Sequence, residues 1–145
     1  MPALAWMPGT IPAGRVTAHP SAFWDVMPTL AELAGAPAPE GLDGLSFAPT
    51  LLGDEARQAR HDYLYWEFRA YGGQQAVRMG DWKGVRQKMR SGNRAIELYD
   101  LAHDPAETTD LAARHPEVVE RMRVLMDGEA RTASEEFPLR WEQAR

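Results

Sequence analysis

The stretch Glu97-Leu98-Tyr99-Asp100-Leu101-Ala102-His103-Asp104-Pro105-Ala106-Glu107-Thr108-Thr109-Asp110-Leu111 decides the fold. Just upstream, Ala95 to Tyr99 alternates so that Ile96 and Leu98 share a side, the spacing of a half-buried strand. Asp104-Pro105 then marks a turn, because proline fixes φ and removes a backbone donor. Beyond the acidic stretch, Pro116 suits the first turn of a helix and Glu117 suits its positive end. Val118, Val119, Met122, Leu125 and Met126 recur at helical spacing as one apolar stripe, with Gly128 as its end or the helix continuing to Arg131. Such a stripe predicts a sheet face for the helix to cover.

The sheet lies upstream. Tyr63 to Phe68 has the aromatic content that strands favour. Gln75 to Met79 and Trp82 to Arg86 flank Gly80-Asp81, a two-residue type II′ hairpin signal. Alternation puts Ala76 and Arg78 on one face, Val77 and Met79 on the other. Ser91-Gly92-Asn93 supplies the next turn. About four strands joined by short connections predict an antiparallel sheet.

Residues 1–54 are richer in Pro and Gly. Ala3 to Met7 reads as a short buried strand, closed by Pro8-Gly9 and Ile11-Pro12-Ala13-Gly14. A helix is predicted over Asp25 to Gly35, with Pro28 in its first turn and Gly35 in the left-handed position past its end. Leu30, Leu33 and Ala34 would share its packed face. Asp43-Gly44 marks a turn, and Pro49 to Gly53 one more helical turn. Asp25 and Ser46 read as capping residues.

A chain of 145 residues with 44% apolar and 26% charged residues has globular composition. A net charge of −5 argues against a nucleic-acid partner, which needs clustered cations to release counterions. The basic residues Arg78, Lys83, Arg86, Lys88, Arg90 and Arg94 read as a solvated hairpin face, the sharper alternative being a rim for an anionic substrate. The absence of cysteine excludes disulfides, thiolate zinc sites and a cysteine nucleophile. No apolar run approaches the ~20 residues of a membrane span. Met1 to Gly14 lacks the basic start and apolar core of a signal peptide, and reads as a strand taken from within a longer protein.

Other constellations are weak. His19, His61-Asp62 and His103-Asp104 lack metal-site spacing and read as solvated loop residues. No serine sits in a Gly-x-Ser-x-Gly elbow. Asp100 and Asp104 are explained by the turn, and Tyr65, Trp66 and Trp82 by the sheet core.

Taken in order, several pieces resemble the C-terminal part of the sulfatase family. They are Pro2 to Gly9 with Ile11-Pro12-Ala13-Gly14, Asp25-x-x-Pro28-Thr29-Leu30 with Leu33-Ala34-Gly35, and Leu42-Asp43-Gly44-x-Ser46 with Leu51-Leu52-Gly53. Trp82-Lys83 and Leu98-Tyr99-Asp100-Leu101 with Asp104-Pro105-x-Glu107 complete the set. The resemblance implies an α+β fold: a four-stranded antiparallel sheet packed by a C-terminal helix over residues 55–145. Residues 1–54 would be the incomplete terminal piece of an α/β alkaline-phosphatase-like domain.

The family's chemistry uses a formylglycine made from Cys/Ser-x-Pro-x-Arg and a divalent cation, usually calcium, on carboxylate and amide oxygens. That motif is absent, so no catalytic or metal residue is carried over, and the chain alone is expected to be inactive. The formylglycine, the calcium and a missing N-terminal sulfatase domain belong upstream on this reading. The substrate would be a sulfated small molecule or glycan, and the full-length protein would be periplasmic or secreted. Uncovered apolar surface on the helix around Leu30 implies self-association of the chain. The substrate-binding candidates are Glu67, Arg69, Gln74 and Gln75 around Gly72-Gly73, which offer hydrogen bonds to sulfate or sugar hydroxyls. The plainer reading of these residues is strand-end charge and a turn. A related phosphonate or phosphodiester hydrolase, and a stand-alone module binding anionic glycans, are the alternatives.

Overall fold

Pro28 lies in the first turn of α1 (Val26–Leu33), where its missing N–H leaves no intrahelical bond unmade. Gly35, at φ 67°, closes the helix as expected. Its N–H donates to the Glu32 carbonyl at 3.0 Å and that of Ala36 to Ala31 at 2.9 Å, a Schellman end. A second short helix, α2 (Ala48–Leu52), stops at Gly53, which has φ 88°. The computed structural model describes residues 3–129. They divide into two units, the first ending at His61 and the second beginning at Asp62.

Two expectations for the first unit are corrected. Ala3 to Met7 forms no strand and is exposed, because a strand needs a neighbour to pair with and none of the described residues supplies one. The buried face of α1 carries Pro28 and Thr29 rather than Leu30. Leu30 is 58% exposed, Met27 56% and Phe23 88%, so this unit presents an apolar surface.

In the second unit Gly80 takes φ 59° and sets Met79 opposite Trp82, the geometry of a two-residue type II′ turn. The turn joins β2 (Gln74–Met79) to β3 (Trp82–Arg86). β1 (Leu64–Phe68) and β4 (Glu97–Asp100) complete an antiparallel four-stranded sheet in the order β1-β2-β3-β4. One face receives α3 (Pro116–Val124), which passes into a π-helical turn at Leu125–Glu129. The expected continuation to Arg131 lies outside the described residues. Met122, Leu125 and Met126 pack with Val77, Ile96 and Leu98, and Val118 and Val119 lie at the edge of this core. The predicted stripe and sheet face therefore meet.

Gly84 sets how close the helix comes. A Cβ there would lie 3.0 Å from Met122 Cγ, 3.2 Å from Met122 Cβ and 3.3 Å from Ile96 Cγ2. The helix rests on backbone at this point.

The closing stretch that opened the sequence reading is stapled by its own acids. Asp104 accepts the N–H groups of Thr108 and Thr109, both at 2.8 Å, and these hold its carboxyl below the usual range. Asp110 accepts the Leu98 N–H at 2.9 Å, and Leu111 returns a bond to the Leu98 carbonyl at 2.8 Å. Lys83 Nζ pairs with Glu107 at 2.5 Å, and the Trp82 and His115 rings pack at a tilt of 51° with centroids 4.8 Å apart.

Candidate functional site

The β1–β2 connection carries Tyr71, Gly72 and Gly73 in succession at positive φ, 51°, 87° and 82°. Two glycines make that path accessible, since only glycine enters this region without a Cβ penalty. The loop is held from the other hairpin. Arg90 N–H donates to the Gly72 carbonyl at 2.8 Å and Met89 N–H to Gly73 at 3.1 Å, with Met89 buried beneath. The β1–β2 and β3–β4 loops thus meet at one end of the sheet.

The four sequence candidates take different places around this end. Glu67 lies on β1 opposite Gln75, and its carboxylate accepts the Tyr65 hydroxyl at 2.7 Å. Gln75 is 1% exposed and its amide is used inside the fold. Its Nε2 donates to Tyr65 Oη at 2.8 Å and to the Met126 carbonyl at 3.0 Å, while Oε1 accepts Arg86 Nη1 at 3.2 Å. Gln74 stands half-buried opposite Phe68, and alternation places it on the face away from Gln75. Arg69 is half-buried just past the end of β1. Glu67 and Gln75 are therefore joined through Tyr65, while Gln74 lies on the other face of β2.

The run of basic residues is not one solvated face. Arg86 is 1% exposed and its Nη1 also donates to Asp127 Oδ1 at 2.7 Å. Arg123 bonds the other Asp127 oxygen at 3.1 Å and Glu120 at 2.6 Å. Lys83 is paired with Glu107, and Lys88 and Arg90 are the exposed cations beside Gly72-Gly73. Sequence periodicity held the clue: Arg86 is in phase with Gly84, on the face that meets the helix.

Burial pushes the Asp127 carboxyl up, but the hydrogen bond and charge of Arg86, aided by Arg123, outweigh it and leave the pKa below its usual value. A depressed folded-state pKa contributes stability above the unfolded value of about 3.9 and loses it as pH falls through the folded value. Acid unfolding of the wild-type chain is accordingly expected to include a stability loss below about pH 4 that is reduced in Asp127→Asn. Urea midpoints measured from pH 6 down to pH 2.5 check this, and parallel profiles for the two chains would contradict it.

The first unit holds a second buried polar centre, built on Asp25 and His61, of which sequence reasoning placed His61 in solvent. Asp25 is 1% exposed. Its carboxylate accepts Ala22 N–H at 2.7 Å and Leu45 N–H at 2.9 Å, and lies 2.8 Å from His61 Nε2. Thr29 Oγ1 donates to the Asp25 carbonyl at 2.6 Å and accepts the Phe47 N–H at 2.9 Å. The Asp-x-x-Pro-Thr string is thus a staple between α1 and the loop before α2, wider than the capping role expected of Asp25. His61 is a side chain only 14% exposed, not a solvated loop residue. His19 lies nearby, its pKa lowered by burial and by Arg60. Ser46 does act near a helix start, accepting the Ala48 N–H at 3.1 Å.

Neither centre fits a resident metal or a formylglycine. Among the described residues no three His, Asp or Glu side chains form a group able to hold a cation. The sequence contains neither cysteine nor a Ser-x-Pro-x-Arg motif. No helix among the described residues is long and apolar enough to cross a membrane.

The family described as N-sulphoglucosamine sulphohydrolase, C-terminal, matches residues 1–131. Human arylsulfatase A is 34% identical over 148 aligned positions, covering 86% of this chain and 29% of the relative. The Delta 4,5-hexuronate-2-O-sulfatase of Bacteroides thetaiotaomicron is 32% identical over 108, covering 71% and 22%. A solved structure described as a putative sulfatase from Bacteroides thetaiotaomicron superposes with a TM-score of 0.61 at 32% identity. It covers 71% of this chain and 23% of its own. The chain thus spans less than a third of these relatives. With residues 1–131 matched, both units fall within the sulfatase C-terminal family, to which this chain belongs.

Proposed function

We propose that this chain is the C-terminal segment of a hydrolase of sulfate esters, supplying scaffold and part of the rim of its substrate pocket. The first unit would be the tail of the large α/β domain and the sheet-bearing unit the small domain. The observation that carries this reading is the family match over residues 1–131, supported by the physical union of its scattered signature residues. Lys83 meets Glu107, and Asp110 locks Leu98. A motif whose members touch is a structural unit rather than a coincidence of letters.

In this reading the formylglycine and calcium reside in the N-terminal sulfatase domain, which is the principal partner, and no step of the reaction runs through residues of this chain. Arg69, Gln74 and Glu67 border the substrate, a sulfated small molecule or glycan. Gln75 acts from behind, holding Tyr65 and through it Glu67. The exposed Phe23, Met27 and Leu30 support a first unit made to be covered, and the chain by itself would self-associate through them.

The purified 145-residue chain is expected to release no product from 4-nitrocatechol sulfate above a matched blank. A longer protein that contains these residues together with a Cys/Ser-x-Pro-x-Arg motif is expected to do so. Turnover by the short chain would overturn the assignment of the nucleophile to the other domain. Failure of the longer protein on a range of sulfate esters would overturn the hydrolase reading itself.

A further inference from the structure

Arg86 is a cation placed under the sheet, 1% exposed. Its Nη1 donates to Asp127 Oδ1 at 2.7 Å and to Gln75 Oε1 at 3.2 Å. Its Nε, also buried, meets no partner among the described residues. A buried charge with an unmatched donor adds little to stability compared with an apolar side chain of its size. Stability alone therefore does not account for Arg86.

The bonds around it have a direction. A guanidinium only donates and a backbone carbonyl only accepts. Gln75 is held between the two, its Oε1 toward Arg86 and its Nε2 toward the Met126 carbonyl at 3.0 Å, so its amide cannot turn round. Nε2 also donates to Tyr65 Oη at 2.8 Å. Tyr65 accepts there and gives its own hydrogen to Glu67 Oε2 at 2.7 Å. Every donor in the series from Arg86 through Gln75 and Tyr65 points toward the Glu67 carboxylate, and bonds aligned in this way polarise one another. Both anchors of the series, Asp127 and the Met126 carbonyl, come from the π-helical turn at Leu125–Glu129. Such turns are rare and are found frequently at functional sites.

We propose that Arg86 is a positioning residue: anchored by the π-helical turn, it fixes the Gln75 amide and, through Tyr65, presents Glu67 to the substrate as a hydrogen-bond acceptor. The proposal rests on the sulfate-ester reading, in which Glu67 borders the pocket. It deepens that reading by giving the end of α3 a part in substrate binding.

Two readouts test it. In the 145-residue chain, NMR follows the Glu67 carboxyl carbon near neutral pH. Tyr65→Phe is expected to move its resonance, and Arg86→Met to move it in the same direction. In the Tyr65→Phe background Arg86→Met should add nothing, which separates a relay from a direct effect of the lost charge. Arg86→Lys should restore the wild-type position, because both bonds come from one nitrogen that an ammonium can replace. Removing Arg86 strands no buried charge, since the Asp127 side chain is 39% exposed and keeps Arg123 at 3.1 Å. The variant is therefore expected to fold. In the longer protein, Arg86→Met and Tyr65→Phe should each raise KM about tenfold with kcat little changed, for the sulfate ester turned over fastest. A resonance unmoved by Arg86→Met, an additive shift in the double variant, or an unchanged KM alongside turnover would overturn the proposal. Absence of turnover of any sulfate ester would overturn the hydrolase reading, while the carboxyl resonance still decides the relay.

Discussion

Asp25→Asn is expected to cost the first unit about 3–5 kcal/mol, the range found when one partner of a buried charged hydrogen-bond centre is removed. Both carboxylate oxygens are occupied: Oδ2 by the Ala22 N–H, Oδ1 by the Leu45 N–H and His61 Nε2. An amide has one acceptor oxygen, so its NH2 must face a backbone N–H on one side or the other. That leaves a buried donor unmatched and sets two donors against each other. The shape of the side chain is unchanged, so the effect isolates the hydrogen bonding. His61→Ala should cost less, because it leaves both backbone bonds to Asp25 intact. Hydrogen exchange at the Leu45 amide, beside urea unfolding followed by Trp24 fluorescence, checks the expectation. A Leu45 amide as protected in Asp25→Asn as in the wild type would contradict it.

The contrast between this centre and the sheet shows what a single sequence makes legible. Where a signal is local, it was readable. Gly80-Asp81 determines a hairpin through the backbone of two residues, and the stripe from Val118 to Met126 determines a helix face through its own period. Ala3 to Met7 shows the limit of that reading, since an apolar run becomes a strand only if a neighbour pairs with it, and no letter in the run supplies one.

Polar residues were harder, because their fate depends on partners far along the chain. Arg86 looked like a surface cation, and its phase with Gly84 pointed the other way. The deciding partner is Asp127, 41 residues distant, and Gln75 is settled by the Met126 carbonyl, 51 residues distant. Asp25 and His61 are 36 residues apart. A charged residue in phase with buried neighbours is therefore a better pointer to an internal network than to a rim. Applied to the four substrate candidates, this rule separates Gln75 from Gln74, adjacent in sequence and opposite in face.

The same rule of close approach makes Gly84 the most demanding position of the second unit. Gly84→Val is expected to destabilise it by about 3 kcal/mol, at the upper end of overpacking costs. A single Cβ would already stand 3.0 Å from Met122 Cγ and 3.3 Å from Ile96 Cγ2, and valine adds two methyl groups beyond it. The intrinsic preference of strands for valine over glycine, within a scale of about 1 kcal/mol, works against this and is too small to offset it. Met122 is fully buried, so Met122→Ala alone should cost about 2–5 kcal/mol through the cavity it leaves. The added valine methyls would occupy part of that cavity. The double variant should accordingly be more stable than the sum of the single losses predicts, by at least about 1 kcal/mol. Additive losses would mean that the helix does not rest on the sheet at Gly84, whereas a positive coupling would locate the contact between α3 and β3 at these two residues.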